Sequence, residues 1–308
     1  MLENKQIVIN TDLDGILSAL IMCHYLNCEV VGFYNSKDKL VIKKGIKKDN
    51  PVYVDIFTRN PNIVSIDQHI VSYDEKHHNY LADLGTKINP NLENGKYFTS
   101  FYREKYPFGT VHYLISLLES RGIDVQLDLN KKYMSIEIAD ILFRADDTLN
   151  TTLNRYVDNS KNWWAWLLEK SNHSNITTHM YEKIYSISKD EITHRTKLCE
   201  DMFNYFNCDT KDGGYRYITN YNYKVKKDFK SYVQFLSKFF NLKCFNMDMD
   251  FDIYIGRNVR TTLFDYQVED FKKGYLGTNE IFSYAFVKSS VYYDCLSYTT
   301  KLEKLDPN

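Results

Sequence analysis

The sequence predicts an α/β protein with an N-terminal doubly wound, mainly parallel sheet, a helical linker and a smaller C-terminal α/β lobe. Three observations support that expectation. Three short apolar runs within the first 70 residues, KQIVINTDLDG, PVYVD and IVSID, each end in aspartate. The first is followed by apolar positions at helical spacing and then by another apolar run, which reads as a strand–helix–strand unit. Further along, residues 156–205 read helical and those from about 214 onward strand-like, so the chain divides at 1–155, 156–205 and 206–308.

Taken in order, residues 5–11 form a buried strand and the chain turns at Gly15. Ile16, Leu17, Leu20 and Ile21 then follow a helical period to about Leu26, and CEVVGFY (28–34) is the next strand. Such a unit is normally right-handed and parallel. A polar, lysine-rich stretch (35–50) separates it from strands at 52–56 and 63–66, and a less regular region follows. GTVHYLISLLESRG (109–122) is an amphipathic helix stopped by Gly122, and 132–145 is another. Trp163, Trp164 and Trp166 open the helical linker. In the last third, YRYITNY, KCFNMDM, DIYIGRN and VRTTLFDY read as strands, followed by a helix at 267–273 and the strand IFSYAFV.

Composition narrows the function classes. Hydrophobic residues make up 44% of the chain, enough for a core in each lobe, and the net charge of −1 argues against bulk attachment to long nucleic acid or an anionic membrane. No apolar run approaches the ~20 residues that span a bilayer, and the N-terminus enters a strand at once rather than a signal peptide. The six cysteines include no Cys-x-x-Cys pair, which suits free thiols in a reducing compartment. The expectation is a soluble, cytoplasmic protein with no membrane partner; the oligomeric state stays open.

The chemistry is concentrated at the strand ends. In an open parallel sheet, ligands sit beyond the carboxyl ends of the strands, where Asp12, Asp14, Asp55 and Asp67 would meet, with His69 two residues on. Carboxylates gathered there repel one another unless cations neutralise them, so a divalent metal site of one or two ions is expected. The competing reading is that each aspartate merely caps a turn through its own backbone.

Asp12-Leu13-Asp14-Gly15 with Ser18, the lone Asp55, and Asp67-Gln68-His69 resemble the first three motifs of the DHH phosphoesterases, especially the oligoribonuclease (nanoRNase) and RecJ-type branches. Ala145-Asp146-Asp147-Thr148 is similar to the fourth motif, with Asp147 in register and Asp146 its neighbour. Asn10 stands where the family usually has His or Asp, and Gln68 replaces the middle His of its signature. Both changes remove nitrogen and leave oxygen, which suits magnesium or manganese better than zinc. Arg260-Thr261-Thr262-Leu263 and the loop Gly274-Tyr275-Leu276-Gly277 are similar to the arginine-bearing strand and glycine-rich loop of the DHH-associated C-terminal domain, with only two glycines and no His in the loop.

The resemblance implies a metal-dependent phosphodiesterase that hydrolyses short or single-stranded oligonucleotides, or cyclic or linear dinucleotides, in a cleft between the lobes. It implies Asp12, Asp14, Asp55, Asp67 and Asp147 as ligands to one or two Mn²⁺ or Mg²⁺, with Asp67 and His69 catalytic. Arg260, Arg257, Gly274 and Gly277 would contact the substrate, a short single-stranded nucleic acid or small nucleotide. Asn10, Gln68 and the reduced loop support a second reading, a catalytically weakened nucleotide-binding sensor, sponge or assembly subunit. Other suggestive groups have plainer expectations. The pair His77 and His78 reads as solvated surface, His112 as a packed helix histidine, and the lysines at 37–48 as a solvated face.

Overall fold

The structure is a computed structural model, which describes residues 2–127, 154–186, 188–209, 213–216, 218–219, 224–263, 280–290 and 293–305. The fold is mixed α/β, and its contacts divide into two compact units that interleave along the sequence. The first comprises Met1–Lys5, Thr11–Val30 and Tyr106–Asp248; the second comprises Gln6–Asn10, Val31–Lys105 and Met249–Asn308. This partition differs from the consecutive segments 1–155, 156–205 and 206–308 because late strands pair with early ones.

That pairing builds the larger sheet, of order β11-β7-β3-β2-β1-β4-β5-β6. Its strands are β1 (Gln6–Asn10), β2 (Glu29–Tyr34), β3 (Lys39–Lys43), β4 (Val52–Val54), β5 (Ser65–Ile66), β6 (Lys87–Ile88), β7 (Phe251–Ile255) and β11 (Glu303–Lys304). From β1 through β4 and β5 to β6 the pairing is parallel. From β2 through β3 and β7 to β11 it is antiparallel, so the sheet is mixed. Ile7, Val8 and Ile9 of β1 are fully buried, as the continuous apolar run requires of a strand covered on both faces. In β2 a Cβ at Gly32 would lie 2.7 Å from the Val41 carbonyl, so β3 approaches there only because the side chain is missing.

A three-stranded antiparallel sheet, β8 (Asn258–Thr262), β10 (Tyr293–Thr300) and β9 (Ile281–Ser290), completes the second unit. Tyr284, Phe286 and Leu296 from it pack with Phe57, Val71 and Phe98 in one core cluster. Phe282 belongs to a second cluster, edge-on to Tyr34 and Tyr53 with ring centroids 5.3 and 5.6 Å away. Short helices α2 (Glu75–Asp83), α3 (Pro90–Glu93) and α4 (Phe98–Phe101) lie between β5 and the end of this segment.

The first unit is helical: α1 (Leu13–Tyr25), α5 (Thr110–Glu119), α6 (Asn154–Lys170), α7 (Asn175–Ser186), α8 (Lys189–Tyr205) and α9 (Lys227–Phe239). The tryptophans expected in a linker are core material, since Trp163 and Trp164 are buried and Trp164 lies 4.8 Å from the Phe108 ring. Helix α9 corrects the expectation of strands there. Phe229, Tyr232, Val233 and Leu236 are all buried and follow a helical period, the signal that the surrounding strand-like aromatics obscured. YRYITNY and KCFNMDM form no named strand among the described residues, only the isolated Thr219–Val225 bridge. Conversely, β3 lies inside the lysine-rich stretch, and β10 follows IFSYAFV, the last strand that the sequence predicts. No helix among the described residues is long and apolar enough to cross a membrane.

Candidate metal centre

The site is built by register. In the parallel half of the second unit Ile9 pairs with Val54, Val54 with Ile66, and Ile66 with Ile88. The next residue of each strand therefore falls in one row along the carboxyl ends: Asn10, Asp55, Asp67, Asn89. All four are buried, the two carboxylates to 3% and 1% exposure. The row is closed from its ends: Asn10 Nδ2 donates to Asp55 Oδ2 at 2.9 Å, and Asn89 Nδ2 to Asp67 Oδ2 at 3.3 Å. Asp55 holds a left-handed backbone with φ 58°, a conformation Asp and Asn tolerate better than most residues.

His69 completes the group. One ligand atom from each of Asp55, Asp67 and His69 lies within 4.8 Å of the others. Asp67 Oδ1 is 2.7 Å from His69 Nδ1, and Asp67 Oδ2 accepts from the His69 backbone N–H at 3.0 Å. The Gln68 amide nitrogen lies 3.4 Å from His69 Nε2, an arrangement that fits a proton on Nδ1 and a lone pair on Nε2. With 42% of its side chain exposed, the imidazole can meet a ligand, while Asp67 behind it is sealed.

These side chains share a cavity of about 160 Å³ with residues of the three-stranded sheet. Arg260, Ser297 and Ala285 are register partners across β8, β10 and β9, and all three line it. The cavity thus draws its carboxylates from before residue 70 and its guanidinium from after 250. Two carboxylates this close repel one another. The amides of Asn10 and Asn89 and the His69 N–H that reach them are neutral donors. Charge and donor chemistry, oxygen twice and nitrogen once, fit a divalent cation.

Asp12 and Asp14 belong to the first unit and are engaged there by helix ends. Asp12 caps α1, its Oδ1 accepting from the Gly15 N–H at 2.9 Å. Asp14 receives the Thr110 and Val111 N–H groups at 2.7 and 2.8 Å, so its carboxylate sits on the N-terminus of α5, where the helix dipole favours negative charge. Arg257 and Arg260 part company, because an odd spacing puts them on opposite faces of the strand region. Arg260 lines the carboxylate cavity, whereas Arg257 lines a separate hollow with Gly256 and Glu280. Asp146, Asp147, Gly274 and Gly277 lie outside the described residues.

Sequence reasoning missed Asn89 and Asn91. Asn89 Oδ1 caps α3 through the Asn91 and Leu92 N–H groups, while its Nδ2 also donates to the His69 carbonyl at 2.8 Å. Asn91 Nδ2 donates to the Gln68 carbonyl at 2.8 Å. Together they clamp the 67–69 loop, and the Asn-Pro pair at 89–90 was the available signal for a cap. The neighbouring histidines are not the solvated surface expected: His78 is buried, and His77 accepts from the Tyr73 N–H through Nδ1. His112 is a packed helix residue, 1% exposed.

No protein-family model matches this chain, and no curated protein or solved structure is significantly similar to it.

Proposed function

We propose that Asp55, Asp67 and His69 hold a divalent cation, Mn²⁺ or Mg²⁺, and that the protein is a metal-dependent phosphodiesterase acting on short single-stranded oligonucleotides or small nucleotides. The observation that carries this reading is the pair of buried carboxylates side by side at strand ends, with an imidazole and Arg260 on the same cavity. The motif resemblance to DHH phosphoesterases agrees with it, and a three-donor group suits one cation rather than two. When bound there, such a cation neutralises phosphoryl oxygens and lowers the pKa of water.

The chain's own residues would do the rest. Asp67 holds the proton on His69 Nδ1, so that Nε2 is the nitrogen the ring would offer to the cation. Arg260 would clamp a phosphate through its forked N–H donors. A cavity of about 160 Å³ admits the reacting phosphoryl group and little more, which favours chain ends and small substrates. Six cysteines without a disulfide support a reducing, cytoplasmic setting.

The engagement of Asp12 and Asp14 by helix ends favours the second reading, a nucleotide-binding module with weakened turnover. The two separate in one experiment: Mn²⁺-dependent release of mononucleotide from labelled RNA and DNA oligomers, with Asp67→Ala alongside. The phosphodiesterase requires release by the wild type and a loss of roughly 10²–10³-fold in the variant, the scale of removing one charge-stabilising group. Bound oligonucleotide with no release by the wild type transfers the assignment to the binding module.

A further inference from the structure

The second unit carries another, larger cavity of about 610 Å³, of a size that takes a whole small molecule rather than one phosphoryl group. We propose that it is a binding site for a free mononucleotide, distinct from the carboxylate cavity and independent of any metal there. Among the described residues its charged lining is Lys48, Arg59 and Lys301 against one carboxylate, Asp49, which pairs with Lys48 at 3.0 Å. The excess is cationic. Burial lowers the Arg59 pKa, the mark of a guanidinium held partly out of water, where an anion's contact is strongest.

The remaining lining suits a base. Ile281, Phe282, Leu302 and Leu81 supply an apolar floor, and Tyr80 presents a large ring at 55% exposure. An exposed aromatic ring beside cations is the pairing that nucleotides use: stacking for the base and charge for the phosphate. Tyr284 lines this cavity and the carboxylate cavity alike. His77 Nε2 lies 3.3 Å from the Tyr284 hydroxyl while its Nδ1 accepts from the Tyr73 N–H, so Nε2 is the donor and the hydroxyl keeps its own proton to give.

The wall is built in advance of any ligand. Lys87 is 7% exposed, and its Nζ donates to Thr58 Oγ1, the Asn60 carbonyl and the Ile63 carbonyl at 3.1, 2.8 and 2.7 Å. Arg59 N–H donates to the Phe282 carbonyl at 2.9 Å, and Thr86 Oγ1 to the Pro61 carbonyl at 2.7 Å. Residues 59–63, one side of the cavity, are therefore tied at both ends and in the middle. A fixed wall spares the ordering cost of binding.

The test is calorimetric titration of the full chain in EDTA with each of the four ribonucleoside 5′-monophosphates, with inorganic phosphate and adenosine as separate titrants. At least one monophosphate should bind at one site per chain, about tenfold or more tighter than either fragment, because base and phosphate are both engaged. Lys48→Gln with Lys301→Gln should weaken it about tenfold, the scale of one charge-assisted hydrogen bond. Tyr80→Ala should weaken it to a similar degree, about tenfold, through lost stacking. Both sets alter residues at least partly exposed, and Asp67→Asn should leave the affinity unchanged. No binding by any of the four, or binding lost in Asp67→Asn but intact in the lysine and tyrosine variants, overturns the site. Neither result touches the phosphodiesterase assignment, which is read with metal present.

Discussion

Asp14 and Asp67 are the same kind of residue in the sequence, an aspartate shortly after a buried strand, and the fold surrounds them differently. Asp14 lies where a helix end brings two backbone N–H groups to its two oxygens, 96 and 97 residues along the chain. Its charge is answered by the fold. Asp67 lies beside a second carboxylate and is met by one neutral side-chain amide, one backbone N–H and a histidine ring. What meets a carboxylate is thus set by the donors the topology delivers, not by its own sequence neighbourhood.

Matched substitutions break or sharpen that contrast. Asp14→Ala leaves two buried N–H donors without their acceptor, so unfolding free energy should fall by about 3 kcal/mol, from the scale of hydrogen bonds to charged groups. Asp55→Asn keeps the shape and the tolerated left-handed backbone but removes one of two repelling charges. In EDTA it should unfold no more easily than the wild type, and the Mn²⁺-induced rise in melting temperature should disappear. If instead Asp55→Asn destabilises the metal-free chain as strongly as Asp14→Ala, the two regions do not differ in kind. Asn89→Ala tests the frame behind the site: Mn²⁺ affinity should drop roughly 10–100-fold, the usual cost of losing a residue that orients ligands. An unchanged affinity would mean the 67–69 loop holds its shape unaided.

Lys87 extends the comparison to a buried cation, answered by three oxygens rather than by a carboxylate among its hydrogen-bond partners. Burial pushes its pKa from the ordinary 10.5 down to about 7. The three acceptors match the three donors of an ammonium and act in the opposite direction. With the folded value below the unfolded one, the unfolded chain holds the extra proton between about 7 and 10.5. Stability should therefore rise with pH across that window, with a slope of at most about 1.4 kcal/mol per pH unit. Urea unfolding at several pH values should show that component vanish in Lys87→Met. Asp12→Ala, the removal of one partly exposed helix cap, should be the mildest change, about 1 kcal/mol.

Local features were legible from the start. The buried runs at 6–10, 29–34 and 52–54, the helix after the first of them and the stop at Gly122 follow from periodicity and breakers acting within a few residues, although that helix starts at Leu13 and takes in Gly15, where a turn is expected. The amphipathic period of 227–239 is equally present but stands among strand-like aromatics. The candidate site was half legible: Asp55, Asp67 and His69 stand out as strand-end residues, whereas Asn89 has no strand of visible length before it, β6 being two residues long.

The sequence alone determined where strands end and which side chains stand there, because those choices are made by neighbours in the chain. The tertiary structure decided the company each keeps. Parallel register set Asn10, Asp55, Asp67 and Asn89 in one row, and the arrival of α5 claimed Asp14 as a helix anion. Pairing of β7 with β3 brought residues 251–255 into a sheet begun before residue 10. Strand order and the destination of backbone donors depend on contacts far apart in sequence, and no local pattern encodes which distant segment will supply them.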